Sequence, residues 1–379
     1  MSQNQSWSRR GFLSGRGLGA STGGMLAALL PDPPLVKPGQ DDRTASQWTI
    51  SRRAMACDFK VHLHSLTLNP VGVAETALAE IEALEDLLSV YRGHSELSRV
   101  NAEAYHRPVR VDGRLFAILQ RAAELHEQTQ GAFDVATGSL ISAWGFFRGP
   151  RRVPTEEEHA AAMACSGMRH VELNAEEMTV RFRTPGVSIN LGSIGKGYAI
   201  DQAMRRIRME FGTQCALITG GSSSMYGCGS LMGDESGWLI GIEDPEDPRR
   251  CVATVRLRDR ALGTSSTSNQ YFVHEGKRYG HLIDPRTGRP ADVVASASVL
   301  APDAATADAL ATAFFVAGLD KAAEFCHNHP DIAAVMVLKQ SDAGRQTAAS
   351  NRRGPRVVTF NLSSHDVKIA TDGPLRCTS

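Results

Sequence analysis

The apolar positions Leu78, Ile81, Leu84 and Leu88 recur at helical spacing through residues 75–90, and Leu115, Ile118, Ala122 and Leu125 do the same through residues 112–129. Both stretches predict amphipathic helices, the second N-capped by Asp112 and stopped near Gly131, ahead of a loop that holds Phe133 and Asp134. Thr155 and Glu158, three apart, spell a capping box for a further short helix. Apolar or alternating runs at Val171, 180–182 and 187–191 predict strands, and further strands are expected at 238–242, 251–257, 270–273, 279–283, 294–300, 332–338 and 357–362. Helices at 195–211 and 306–317 fall among them, and 344–354 reads as a mobile loop. Strands that neighbour one another as hairpins, rather than alternating strictly with helices, predict an α+β sheet architecture and not a doubly wound one.

Composition narrows the functional classes. The chain has 379 residues, 42% hydrophobic and 22% charged, which suits one large domain or two intimately packed ones with a full core. Lys plus Arg equal Asp plus Glu at 41 each, so no net field would hold nucleic acid or an anionic surface. The seven Cys are scattered without the short spacings of zinc sites, and their odd number argues against a disulfide framework; they are read as mostly buried thiols. At the amino terminus, Ser8-Arg9-Arg10-Gly11-Phe12-Leu13 resembles a twin-arginine export signal. The apolar run that follows, 18–30, is too short to span a bilayer comfortably. Residues 1–40 are therefore expected to be signal and linker and 41–379 the folded domain, exported to the periplasm without a stable transmembrane span.

Four stretches can carry chemistry. In Ser188-Ile-Asn-Leu-Gly-Ser-Ile-Gly-Lys-Gly-Tyr-Ala-Ile-Asp201 a glycine turn opens a helix and sets Lys196 where a phosphate could rest, although the Walker A spacing is absent. Asp308 and Thr312, four apart, face one side of a helix and offer hard oxygen ligands suited to magnesium, or simply a helix-turn charge and a back-bonded hydroxyl. His281 and Asp284, beside an Asp-Pro turn, offer a general base or a structural pair. Gly131-Ala-Phe-Asp134 offers an aromatic ring and a carboxylate that could grip a ring system or end a helix packing.

Taken in order, Met55, Ser89-Val-Tyr91, residues 95–101, Gly131-Ala-Phe-Asp134, residues 192–201, Gly220-Gly221, residues 281–288 and Ala307-Asp-Ala-Leu-Ala-Thr312 resemble the FAD:protein FMN transferase (ApbE) family across nearly the whole mature chain. The resemblance implies a T-fold-related, two-lobed α+β structure with FAD in its cleft and magnesium as cofactor. It implies FAD contacts at Met55, Tyr91, Ala132, Phe133, Asp134, Lys196 and Leu282, and metal ligands at Ser193, through its carbonyl, Asp308 and Thr312. The implied reaction moves FMN from FAD to a Thr or Ser hydroxyl of an exported acceptor protein and releases AMP, with His281 as candidate base and Asp284 as the second choice. FAD hydrolysis and FAD storage without chemistry are the alternative readings. Two departures stand out: Ser222 after Gly220-Gly221 where the family has Asp, and Ser266 after Thr264-Ser265 where it has Gly. The terminal Asp372-Gly-Pro-Leu-Arg-Cys-Thr378 matches only the ends of the family's target motif and is not expected to be a self-modification site.

Overall fold

The computed structural model describes residues 47–231, 237–266, 270–339, 357–370 and 375–376. The expected export signal and the loop at 344–354 lie outside them. The chain opens with a hairpin, β1 (Gln47–Ala54) and β2 (Cys57–His64), in which Phe59, Val61 and Leu63 alternate inward. Helix α1 (Pro70–Leu88) starts earlier than its apolar repeat suggests, because Asn69 caps it by accepting from Gly72 N and Pro70 occupies the first turn. Then come α2 (Glu96–Glu103), β3 (Val109–Arg110) and α3 (Gly113–Gln128), the last capped by Asp112 as predicted. Helices α4 (Gly138–Ala143) and α5 (Glu156–Ala164) follow, with the Thr155–Glu158 capping box formed in both directions. Strands β4 (Val171–Asn174) and β5 (Thr179–Phe182) join β3 in a small sheet, order β3-β5-β4.

Helix α6 (Gly195–Phe211) leads into β6 (Ala216–Gly220), β7 (Ser224–Cys228), β8 (Trp238–Glu243), β9 (Arg250–Leu257) and β10 (Arg260–Ser266). Two short hairpins come next: β11 (Tyr271–His274) with β12 (Lys277–Gly280), and β13 (Ile283–Asp284) with β14 (Arg289–Pro290). The chain continues through β15 (Ser296–Ala301), α7 (Ala304–Ala317), α8 (Leu319–Asn328), β16 (Ala333–Val337), β17 (Val357–Phe360), β18 (Val367–Ile369) and β19 (Leu375–Arg376).

The central sheet has eight strands in the order β1-β2-β6-β7-β10-β15-β16-β17, every pair antiparallel. Antiparallel strands alternate their faces, so each side of the sheet needs its own cover. One face carries α1, α6 and α7 over a large core that includes Phe59, Ile81, Ile200 and Leu310. The other packs Leu217, Met225, Leu262 and Leu300 against Trp238, Val252 and Val255 of a second sheet built from β8, β9, β18 and β19. A third cluster, Leu140, Trp144, Ala162 and Ile283, binds α4 and α5 to the two short hairpins. This is the expected α+β architecture.

One predicted strand is absent. Residues 187–191 run extended without a strand partner, because side chains and loops satisfy their backbone instead. Asn101 accepts from Ile189 N and donates to Ile189 O, Gly138 N donates to Ser188 O, and Asn190 N donates to Val135 O. Among the cysteines, Cys57, Cys165, Cys215, Cys228 and Cys326 are free thiols as expected, whereas Cys251 is disulfide-bonded. No helix among the described residues is long and apolar enough to cross a membrane.

Candidate active site

A cleft of about 650 Å³ opens where the β1–β2 turn, the end of α1, the loop after α3, the start of α6, the ends of β7 and β10 and the middle of α7 converge. Its position follows from α7. That helix begins where Asp303 accepts from Thr306 N, and it is buried along almost its whole length beneath β10, β15 and α6. Two glycines let it sit so close: a Cβ on Gly197 would lie 2.1 Å from Ala304 O, and one on Gly263 would lie 2.4 Å from Ala307 C.

Asp308 is the chemical centre. It is buried, and its Oδ2 accepts from Gly197 N at 2.8 Å and from Ser224 Oγ at 2.9 Å. Burial lifts its carboxyl to about 6, against the opposing pull of Lys196 and these two hydrogen bonds. Asp308 thus sets a buried carboxylate at the floor of the cleft, within reach of the charge of Lys196. Thr312 Oγ1 donates to Asp308 O at 3.3 Å, the helix back-bond that spacing alone allows, and also lies 3.2 Å from Ser265 Oγ. Both residues and Ser193 line the cleft. Their oxygens are hard ligands that fit magnesium. No cluster of three or more His, Cys, Asp or Glu exists among the described residues, so such a cation would draw its remaining ligands from water and substrate phosphate.

Lys196, in the first turn of α6, donates from Nζ to Ser223 Oγ. Across the cleft, His281 Nδ1 lies 3.1 Å from Gln270 O, a contact in which the ring must donate. The tautomer therefore carries its proton on Nδ1 and leaves Nε2 with a free lone pair. Burial lowers the His281 pKa, assisted by Lys196 and Arg151, so the ring is neutral near pH 7.

The remaining predicted residues divide. Met55, Tyr91, Ala132, Asp134, Lys196 and Leu282 all line the cleft. Met55 and Ala56 form its lip, in a two-residue turn with φ of 46° and 62°, a left-handed pair that usually takes glycine or asparagine. Tyr91 stands exposed at the mouth with its ring 5.1 Å from Phe147, and Arg148 donates to its carbonyl. Asp134 is partly committed to the fold: it accepts from Ala136 N and Met168 N and lies 3.1 Å from His126, whose pKa it raises by that hydrogen bond. Phe133 is buried in the core and is not among the lining residues. Asp284 also lies off the lining, its carboxylate gripped by Nε and Nη2 of Arg286, both at 2.9 Å.

The structure adds residues that pattern reading passed over. Ser223 closes the turn after Gly220-Gly221 and Ser224 begins β7; the run of three serines from Ser222 is the signal for them. Cys57 lines the floor, its thiol pushed up by burial against the opposing charge of Lys196. The hairpin that presents it was not among the expected strands, although the alternation of Phe59, Val61 and Leu63 was a signal for it.

An antiparallel α+β fold whose cleft joins a lysine, a buried carboxylate and a neutral histidine is the frame of an enzyme that works on a phosphate ester or anhydride. The chain belongs to the ApbE family, whose model it matches over residues 54–336. It is 33% identical over 277 residues to the FAD:protein FMN transferase of Vibrio cholerae serotype O1, covering 72% of this chain and 80% of that protein. It is 32% identical over 287 residues to the enzyme of the same name from Treponema pallidum, covering 71% and 79%. The ApbE protein of Thermotoga maritima superposes with a TM-score of 0.71 at 31% identity, over 79% of this chain and 98% of that one. The flavin transferase ApbE of Vibrio cholerae superposes with the same TM-score at 28% identity, over 83% and 97%.

Proposed function

We propose that this protein is an FAD:protein FMN transferase that attaches FMN to a Thr or Ser hydroxyl of an exported partner protein and releases AMP. The observation that carries the reading is the meeting of Lys196, Asp308 and a neutral His281 in one cleft roomy enough for a dinucleotide. Transfer of this kind needs charge neutralisation and alignment more than covalent help from the protein.

Lys196 lies where it can hold the pyrophosphate and offset charge that develops on the leaving phosphate. Asp308, with Thr312 and the Ser193 carbonyl, would hold magnesium, which when bound supplies Lewis-acid neutralisation of the phosphate oxygens. His281 Nε2 takes the proton of the incoming hydroxyl as the bond to the FMN-side phosphorus forms. The lip at Met55 and the mouth at Tyr91 would flank the flavin end. Asp284, held by Arg286, supports the turn behind His281.

The test is the intact mass of an acceptor domain bearing Asp-Gly-x-Thr-Gly-Ala-Thr after incubation with this protein, FAD and magnesium. A gain of one FMN that is lost in Asp308→Ala is the expected result. An unmodified acceptor with accumulating AMP would point to FAD hydrolysis, and unchanged FAD to storage.

A further inference from the structure

We propose that Ser223 is itself an FMN acceptor, so that the protein flavinylates its own cleft when no partner hydroxyl is present. The inference rests on the reading above only in taking FAD as the donor. Its own ground is the geometry around Ser223 Oγ, which receives a hydrogen bond from Lys196 Nζ in a half-buried position that lines the cleft.

Three neighbouring hydroxyls on β7 and β10 are engaged elsewhere. Ser224 Oγ donates to Asp308, Ser265 Oγ pairs with Thr312 Oγ1, and Thr264 Oγ1 pairs with Ser298 Oγ at 2.9 Å. Ser223 Oγ has, besides Lys196, only a 3.5 Å approach to Ser224 Oγ, so its proton and a lone pair remain available to substrate. The Lys196 ammonium, by donating to Ser223 Oγ, fixes the hydroxyl beside the phosphate it would attack. Here the pair stands one hydroxyl away from the carboxylate proposed to hold the metal, where the pyrophosphate must lie.

In the step, Ser223 Oγ bonds to the FMN-side phosphorus and the bond from that phosphorus to the bridging oxygen breaks. AMP leaves with the electron pair, and the Lys196 ammonium gives one proton to the departing phosphate as it takes the serine proton, so that it ends the step charged as it began. FAD and a serine give FMN-serine and AMP, with no other reactant consumed. One site allows at most one FMN per chain, and the adduct fills the cleft that made it.

The full chain is incubated with FAD and magnesium, with and without the acceptor domain, and AMP and the intact masses of both proteins are read. Without acceptor, the chain is expected to gain one FMN, mapped by fragmentation to Ser223 within the tryptic peptide spanning 209–249. Ser223→Ala is expected to lose the gain while still quenching FAD fluorescence on binding, and Ser223→Thr, which keeps a hydroxyl, to retain it. An unmodified chain, an adduct on another residue, or an adduct that persists in Ser223→Ala overturns the proposal. If the chain stays unmodified while the acceptor gains FMN, only this inference fails; if neither protein gains FMN and no AMP appears, the transferase reading fails with it.

Discussion

At the scale of single residues, His281 makes the sharpest demand on experiment. Its lowered pKa means that the base is already unprotonated at neutral pH, so the transfer rate should climb with pH through a value below 6.5 and then stay flat to pH 8. His281→Gln should cut kcat by about 10²–10⁴-fold, checked by AMP release across pH 5–8, and leave only the acidic limb set by protonation of Asp308 near 6. A rate still rising above pH 7 would assign the proton to another group. Lys196, Asp308 and His281 were singled out by a glycine turn, a four-residue spacing to Thr312 and a nearby Asp-Pro turn, each open to a structural reading until the resemblance to the family joined them. The facing of side chains was not legible. Phe133 and Asp284 belong to the same strings as cleft residues, yet one turns into the core and the other onto Arg286.

At the scale of elements, the site depends on the contact between α6 and α7. Gly197 meets Ala304 through its missing side chain and Asp308 through its amide, so packing and ligand placement share one residue. Gly197→Ala would force the helices apart and should cost at least about 2 kcal/mol of stability, seen as a lower urea midpoint. It should also weaken magnesium binding, read by calorimetry; unchanged affinity at reduced stability would separate the two roles. Helix periodicity was easy to read from the sequence because core faces repeat every three or four residues. The extended run at 187–191 misled because apolar residues there are buried by loops and bonded by Asn101, a partner eighty-eight positions away in the chain that no local pattern reveals.

At the scale of the whole molecule, Asp201 ties stability to pH. It caps α7 from outside by accepting from Ala304 N and Ala305 N, and burial, aided by nearby Asp303, lifts its pKa to about 7. The unfolded chain releases that proton near pH 4, while the folded one keeps it until about 7. Stability must therefore fall as pH rises through that window, by roughly 4 kcal/mol at most for three pH units. Denaturant melts from pH 4.5 to 8 should show this fall in the wild type and a flatter course in Asp201→Asn; parallel curves would refute it. The α+β class was readable from hairpin-like strand spacing, but β1, β2, β6, β7 and β10 of the central sheet were not read as strands. The sheet's order was not legible, since β2 pairs with β6 and β7 with β10 across long insertions.

The cleft is lined by residues from the turn at Met55 to Thr312, with α7 closing the floor. A ribosome must therefore release more than three quarters of the 379 residues before a complete flavin site can exist. No shorter nascent piece contains every wall of the cleft, so any ligand that needs the whole cleft is taken up only after α7 has been made.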